Sequence, residues 1–258
     1  MGGERGVGLV KQDDGWRLPD ELWAKMQPLL PPRPPHPLGC HNPRVDDRRA
    51  MEAILLVLRT GMQWHALKAT GLCHPSSAYR RFREWAAAGV FREFWRQGLL
   101  AYEAVTGVHW KWLALDGAMS KAPLGGQKTG PNPTDRAKGG TKKSLLTDGR
   151  GVPLGMAVAG ANVNDHKLMA ATLQSLPVKR PKPDAHRRQG LCLDKGYDYD
   201  EVRALAARYG FTLHQHRRGQ PHQALQRGGR KKARRWVVER THSWIQQVSS
   251  SARALGEA

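Results

Sequence analysis

The stretch Lys111–Ser120, K-W-L-A-L-D-G-A-M-S, holds the apolar pattern that the rest of the chain is organised around. Trp112, Leu113 and Leu115 form a run of strand length, and Gly117 breaks it. Asp116 is therefore expected at a mouth, where a short buried strand leaves the core. Upstream, apolar positions recur with helical spacing. Pro19 to Leu30 reads as a first helix, with Leu22, Trp23, Met26 and Leu30 on one face and Asp20 and Glu21 in its first turn. The prolines from Pro31 to Pro37 predict an extended linker. Asp46 or Asp47 is expected to cap a second helix that buries Met51, Ile54, Leu55 and Leu58 and ends at Gly61. A third follows His74-Pro75, capped by Ser76 or Ser77, with Tyr79, Phe82 and Trp85 inward and Arg80, Arg81 and Arg83 largely outward. A fourth runs from Val90 to about Tyr102.

Beyond Asp116 the period changes. Lys121–Lys143 has no apolar period and reads as a basic loop. Ser144–Thr147 and Val152–Ala159 flank Asp148-Gly149-Arg150-Gly151, the signature of a hairpin. Asn164 or Asp165 is expected to cap a helix carrying Leu168, Met169, Leu173 and Leu176. Gly190–Asp194 is a second apolar strand ending in a carboxylate, Asp198–Tyr209 a helix that Asp198 and Asp200 are expected to cap, and Phe211–His216 a fifth strand. A basic loop then leads to a last helix with Trp236, Val237, Glu239 and Trp244. This order predicts a mixed five-stranded sheet with flanking helices, an α/β unit of ribonuclease-H-like type over residues 106–258, behind an all-α unit over 1–105. In such a sheet the ends of the first and fourth strands lie side by side under the last helix, so Asp116, Asp194 and Glu239 are expected to converge.

Charge changes the picture next. The chain of 258 residues has 42 Lys and Arg against 22 Asp and Glu, a formal net charge of +20, which calls for a polyanion and first of all nucleic acid. No apolar run approaches the ~18 residues of a membrane span, and no charged-then-apolar leader opens the chain. Three scattered cysteines, Cys40, Cys73 and Cys192, fit a reducing cytoplasm. Cys40-His41 and Cys73-His74 lack the spacing of a zinc module and read as packing residues. Three short helices with a turn before an arginine-bearing one suggest a helix-turn-helix-like front that grips DNA phosphates. Three carboxylates gathered in so basic a chain repel one another unless a cation neutralises them. Oxygen donors suit Mg²⁺ or Mn²⁺, and two such ions ~4 Å apart suit an in-line displacement at phosphorus.

At these residues the chain resembles a DDE-type transposase of bacterial insertion sequences, of the IS-five group within the IS-four-like superfamily. The resemblance rests on L-D-G at Leu115–Gly117, G-P-N-P-T-D-R at Gly130–Arg136, G-A-N-V-N-D at Gly160–Asp165, L-D-K-G-Y-D at Leu193–Asp198 and R-W-V-V-E-R-T-H-S-W at Arg235–Trp244. G-M-Q-W at Gly61–Trp64 and Y-R-R-F-R-E-W at Tyr79–Trp85 also fit the group, so nearly the whole chain is covered. The resemblance implies that Asp116, Asp194 and Glu239 are the catalytic and metal-holding acids, using two Mg²⁺ or Mn²⁺ ions. It implies that terminal inverted repeats and target DNA are the partners, and that a homodimer forms on DNA. It also implies a DNA contact at Arg235, joined by Lys231, Lys232 and Arg234 of the same basic run; Arg80, Arg81 and Arg83 are the candidates in the front unit. Asp165 is the rival for the second acid, and His242, one turn beyond Glu239, stands either beside the site or merely packed.

The tail departs from that family, which continues after Trp244 as a basic amphipathic helix. Here Ile245–Ala258 reads I-Q-Q-V-S-S-S-A-R-A-L-G-E-A. One permitted back-translation, displaced by a single nucleotide, reads F-S-K-F-R-R-L-L-V-R-W-E-K. The expectation is a frameshift just after Trp244, an incomplete C-terminal end and reduced or lost activity. A non-catalytic DNA-binding repressor of transposition is the rival from another class, and a ribonuclease-H-like nuclease of another pathway is a second.

Overall fold

The structure, a computed structural model, describes residues 17–32, 44–123, 125–215 and 236–253. The chain forms two compact units, the first reaching to Phe94 and the second running from Trp95 to Gln247, with the end of the last helix grouped with the first.

The first unit is helical. Helix α1 (Asp20–Met26) follows Pro19 and gives way to a tighter turn at Gln27–Leu29, where Pro28 has no N–H to continue the ladder. Helix α2 (Asp47–Thr60) starts where the Asp46 carboxylate accepts the Arg49 backbone N–H at 3.1 Å and stops at Gly61, whose φ of 74° ends it. Helix α3 (Pro75–Ala87) has His74, not Ser76 or Ser77, at its cap: Nδ1 accepts the Ser76 N–H, and Pro75 takes the first helical position. Met51, Ile54 and Trp85 are fully buried, with Leu18, Met26 and Val90 around them. The outward expectation fails for Arg81. Its side chain is buried and bonded to Glu84 at 2.7 Å, with Asp47 at 3.5 Å, because a guanidinium between two carboxylates is held in place as an ion pair. Arg80 and Arg83 are exposed. Helix α4 (Val90–Val105) completes this part of the chain.

The second unit is a mixed sheet. Its strands are β1 (Trp112–Lys121), β2 (Gly130–Pro131), β3 (Gly139–Asp148), β4 (Pro153–Gly160), β5 (Gln189–Cys192) and β6 (Phe211–His214). Strand β3 runs antiparallel to β1 and β4, whereas β5 runs parallel to β1 and β6 parallel to β5. The spatial order β4-β3-β1-β5-β6 is the ribonuclease-H-like order, with two-residue β2 as an additional strand on β3. Helices α5 (Asp165–Gln174) and α6 (Asp200–Arg208) pack on one face, and α7 (Trp236–Arg253) contributes to the other.

Two expectations change here. Strand β1 does not end at Gly117 but pairs with β3 as far as Lys121, and β3 begins at Gly139, so both ends of the expected basic loop are strand. Gly117 is tolerated in mid-strand because the Asp165 carboxylate occupies the place its side chain would take: a Cβ there would lie 1.9 Å from Asp165 Oδ1. Asp198 and Asp200 do not cap α6, whose cap position is Tyr199; both carboxylates bind Arg203 instead.

Candidate active site

Strand alternation places the acids. Ala114, Leu145, Cys192 and Val238 form one small core on the α7 face, while Leu113, Leu115, Leu146, Leu191 and Leu193 belong to the large core on the other. Side chains two apart on a strand share a face, so Asp116 follows Ala114 and Asp194 follows Cys192 onto the α7 side. Ala114 and Cys192 are partners in the β1–β5 register, which brings the two carboxylates to corresponding positions just past the last parallel pair. Both are half-buried. The Asp194 carboxylate also accepts the Lys195 N–H, starting the tight turn Lys195–Tyr197.

Helix α7 is seated by its first turns. Val237, Val238, Thr241 and His242 are buried, and Glu239 is exposed beside them. Thr241 Oγ1 donates to the Gly151 carbonyl at 2.8 Å, and Arg240 Nη2 to the Arg150 carbonyl at 2.6 Å. Gly151, at φ 96°, leaves the room: a Cβ would stand 2.9 Å from Arg240 Nη2 and 3.0 Å from Thr241 Oγ1. The Asp148-Gly149-Arg150-Gly151 turn that the sequence predicts therefore also carries the helix bearing Glu239. His242 Nε2 lies 3.1 Å from the Asp116 carbonyl, so with that nitrogen protonated α7 is tied directly to the strand of the first acid. Burial pushes the His242 imidazole below its ordinary value; the Asp116 carbonyl pulls it up, the Lys143 charge pushes it down and Glu239 pulls it up.

Asp165 lies elsewhere. It abuts Gly117, whose missing side chain faces away from that of Asp116, and its Oδ2 is 3.3 Å from the buried Lys142 ammonium. It opens α5 rather than capping it, the cap position being Asn164. Tyr197 is enclosed in the large core. Burial, then the negative charges of Asp165, Asp116 and Asp194, hold its phenol well above the ordinary value, so it stays protonated.

Asp116, Asp194 and Glu239 offer the hard oxygen donors that Mg²⁺ or Mn²⁺ takes. Among the described residues, no three His, Cys, Asp or Glu side chains are close enough to hold a metal ion as a ready-made set. The donor type fits such an ion. It keeps several waters and is commonly held by one or two carboxylates plus substrate phosphates rather than by a closed protein cage. Cys73 is half-buried and free, and Cys192 is buried in the small core. Cys40, His41, Lys231, Lys232, Arg234 and Arg235 lie outside the described residues. Sequence reasoning missed Lys143 and the seat at Gly151, because both depend on register: only the pairing of β3 with β1 says which of two adjacent lysines shares a face with Asp116.

Comparison with known proteins gives the family of the chain. The family model "Transposase DDE domain" matches residues 112–254, and a model described as "Putative transposase of IS4/5 family" matches residues 18–95. The chain belongs to the DDE transposase domain family. A relative from Burkholderia cepacia, "Putative transposase for insertion sequence element IS402", is 37% identical over 130 residues, 47% of this chain and 56% of that protein. The chain thus spans little more than half the length of that relative. A second, "Insertion element IS402 uncharacterized 16.2 kDa protein" from the same organism, is 37% identical over 120 residues, 45% of this chain and 80% of that one. Among solved structures, the catalytic domain of Mos1 mariner transposase aligns with 64% of this chain and 92% of its own, at 10% identity and a TM-score of 0.30. The Mos1 mariner paired end complex with Mn aligns with 90% and 86%, at 12% identity and a TM-score of 0.29. Likenesses this remote locate no residue here. No described helix is long and apolar enough to cross a membrane.

Proposed function

We propose that the chain is a DNA transposase that cuts phosphodiesters at the ends of an insertion element and joins the freed 3′ ends to target DNA. The observation that carries this is that Asp116 and Asp194 follow the last β1–β5 pair on one sheet face, with the Glu239 helix bonded to the Asp116 strand through His242. Asp116, Asp194 and Glu239 are the residues that hold divalent cations. Two such ions, when bound, supply an activated attacking oxygen and offset the charge that grows on the leaving one. The protein's own part is to keep the acids on rigid elements and to hold DNA against them. Arg80 and Arg83 of α3, which are exposed, and the run Lys231, Lys232, Arg234 and Arg235 serve the phosphates. Arg81, being ion-paired in the interior, is not among the groups that reach DNA. Terminal inverted repeats and target DNA are the partners, and two copies are needed to hold two ends.

The departure of Ile245–Ala258 from the family's basic helix supports one refinement: this copy has reduced activity, and a chain with the displaced frame restored has more. The test is Mg²⁺-dependent cleavage and joining of a labelled duplex carrying the inverted repeats that flank the gene. This chain, the frame-restored chain and Asp194→Ala of each are compared. Loss of all cleavage in Asp194→Ala is expected. Cleavage that survives it removes Asp194 from the site. End binding by this chain with no cutting by either version leaves the non-catalytic repressor.

A further inference from the structure

Lys142 and Lys143 are adjacent in β3, and strand alternation sends them to opposite faces. Lys142 is buried behind the sheet against Asp165 at 3.3 Å. Lys143 is half-buried and lies two residues from Leu145, which packs with Ala114, Cys192 and Val238, so it shares the face of the acids. In register Leu145 pairs with Asp116 and Lys143 with Ala118, one step along the same face. That step is about 7 Å, two residues of antiparallel strand. His242 Nε2 stands 3.1 Å from the Asp116 carbonyl, so α7 meets β1 one step along that face from the Ala118–Lys143 pair.

A site built of three carboxylates repels the polyanion it must receive. Bound cations meet the phosphate under attack, but the phosphate next to it needs a fixed positive charge of its own. A lysine is suited to supply that charge, because its stem packs on the sheet and its ammonium presents a compact charge at the end of a long reach. We propose that Lys143 is a DNA-contacting residue of this site, holding a non-bridging oxygen of the phosphate beside the one addressed by Asp116, Asp194 and Glu239. This rests on the transposase reading given above.

The test is a methylphosphonate scan. Single phosphates of a duplex carrying the flanking inverted repeat are neutralised in turn, and binding is measured in Ca²⁺ with the full chain, Lys143→Ala, Lys143→Gln and Lys143→Arg. In the parent chain, neutralising the phosphate beside the cleavage point is expected to weaken binding about tenfold, the scale of one charge-assisted contact. In Lys143→Ala and Lys143→Gln that one position loses its effect while the others keep theirs, and the slope of log affinity against log salt falls by about 0.9. Lys143→Arg restores both. A scan whose profile is unchanged, or merely scaled at every position, in Lys143→Ala shows that the lysine only balances charge within the protein and overturns the proposal. A parent chain that binds the end duplex no better than a scrambled one overturns the transposase reading, and this proposal with it.

Discussion

The two faces of the sheet in the second unit are made from the same strands and behave as opposites. On the α5 and α6 face, Leu113, Leu115, Leu146, Met169 and Leu191 close a large core, and two polar pairs are admitted there: Lys142 with Asp165, and Thr172 with the Ser144 hydroxyl at 2.8 Å. On the α7 face the apolar contribution is small, chiefly Ala114, Leu145, Cys192 and Val238, and beyond it the strands present Asp116, Asp194 and Lys143 next to an exposed Glu239. One face uses charge to finish a core, and the other carries its charge around a small core, beside an exposed helix residue. Stability should therefore be lost on the first face and activity on the second.

The largest effect expected is on the packed face. Leu146 is fully buried in the large core, and Leu146→Ala is expected to cost about 3 kcal/mol through lost burial and a residual cavity, measured by urea unfolding. Asp116→Asn, on the neighbouring strand and the other face, is expected to leave the midpoint unchanged and to remove metal-dependent cleavage. A loss of stability in Asp116→Asn as large as in Leu146→Ala would mean that the two faces are not distinct.

Gly117 is where the faces meet. Gly117→Ala puts a methyl 1.9 Å from Asp165 Oδ1, so the carboxylate must move and its bond to Lys142 with it. A cost of about 2–3 kcal/mol is expected from such overpacking. Gly196→Ala is the control, because nothing lies within 4 Å of the added carbon, and it is expected to be neutral in the same urea unfolding measurement. Equal costs at the two glycines would remove Asp165 from its place against β1.

Adjacent lysines give the next contrast. Lys142→Ala leaves the Asp165 carboxylate without its cation, and Asp165 Oδ1 already has no hydrogen-bond partner. A buried pair broken on one side commonly costs ~3–5 kcal/mol, and because Asp165 is one-third exposed the expectation here is about 2 kcal/mol. Lys143→Ala is expected to cost less, because this half-buried lysine lies on the α7 face, outside the large core. Urea midpoints of the two variants, measured side by side, decide it; equal losses would put both lysines in structural roles.

How far the sequence alone reaches is visible in the same residues. The apolar runs at Leu113–Leu115 and Gly190–Leu193 and the Asp-Gly turn announced strands and hairpin, because burial and turn chemistry are local signals. The parity of Ala114 with Asp116 and of Cys192 with Asp194 was legible as well, since a period of two needs no structure. What escaped was whatever depends on a distant partner. The strand past Gly117 persists because Asp165 fills the gap, Arg81 turns inward because Asp47 and Glu84 meet it, and His74 outcompetes the two serines because Pro75 starts the helix. Lys142 and Lys143 are indistinguishable until the β1–β3 register is known.

The smallest effect expected lies at the outer edge of the open face and asks how firmly the Glu239 helix is held. The Arg240 guanidinium lies 4.9 Å from the Trp236 ring centroid and 5.0 Å from that of Trp244, a cation between two half-exposed indoles one helical turn apart on either side. The same side chain donates to the Arg150 carbonyl in the turn that seats α7. Exposed cation–π contacts contribute about 0.5–1 kcal/mol, so Arg240→Ala is expected to cost about 1 kcal/mol. Arg240→Lys should recover only part of it, since an ammonium lacks the planar face that stacks on both rings. The discriminating measurement is amide hydrogen exchange: opening should quicken at Val237–His242 while Leu113, Leu146 and Met169 keep their protection. Quickening that spreads to the large core would mean that α7 and the packed face unfold together, and that the division of labour between the faces stops short of their stability.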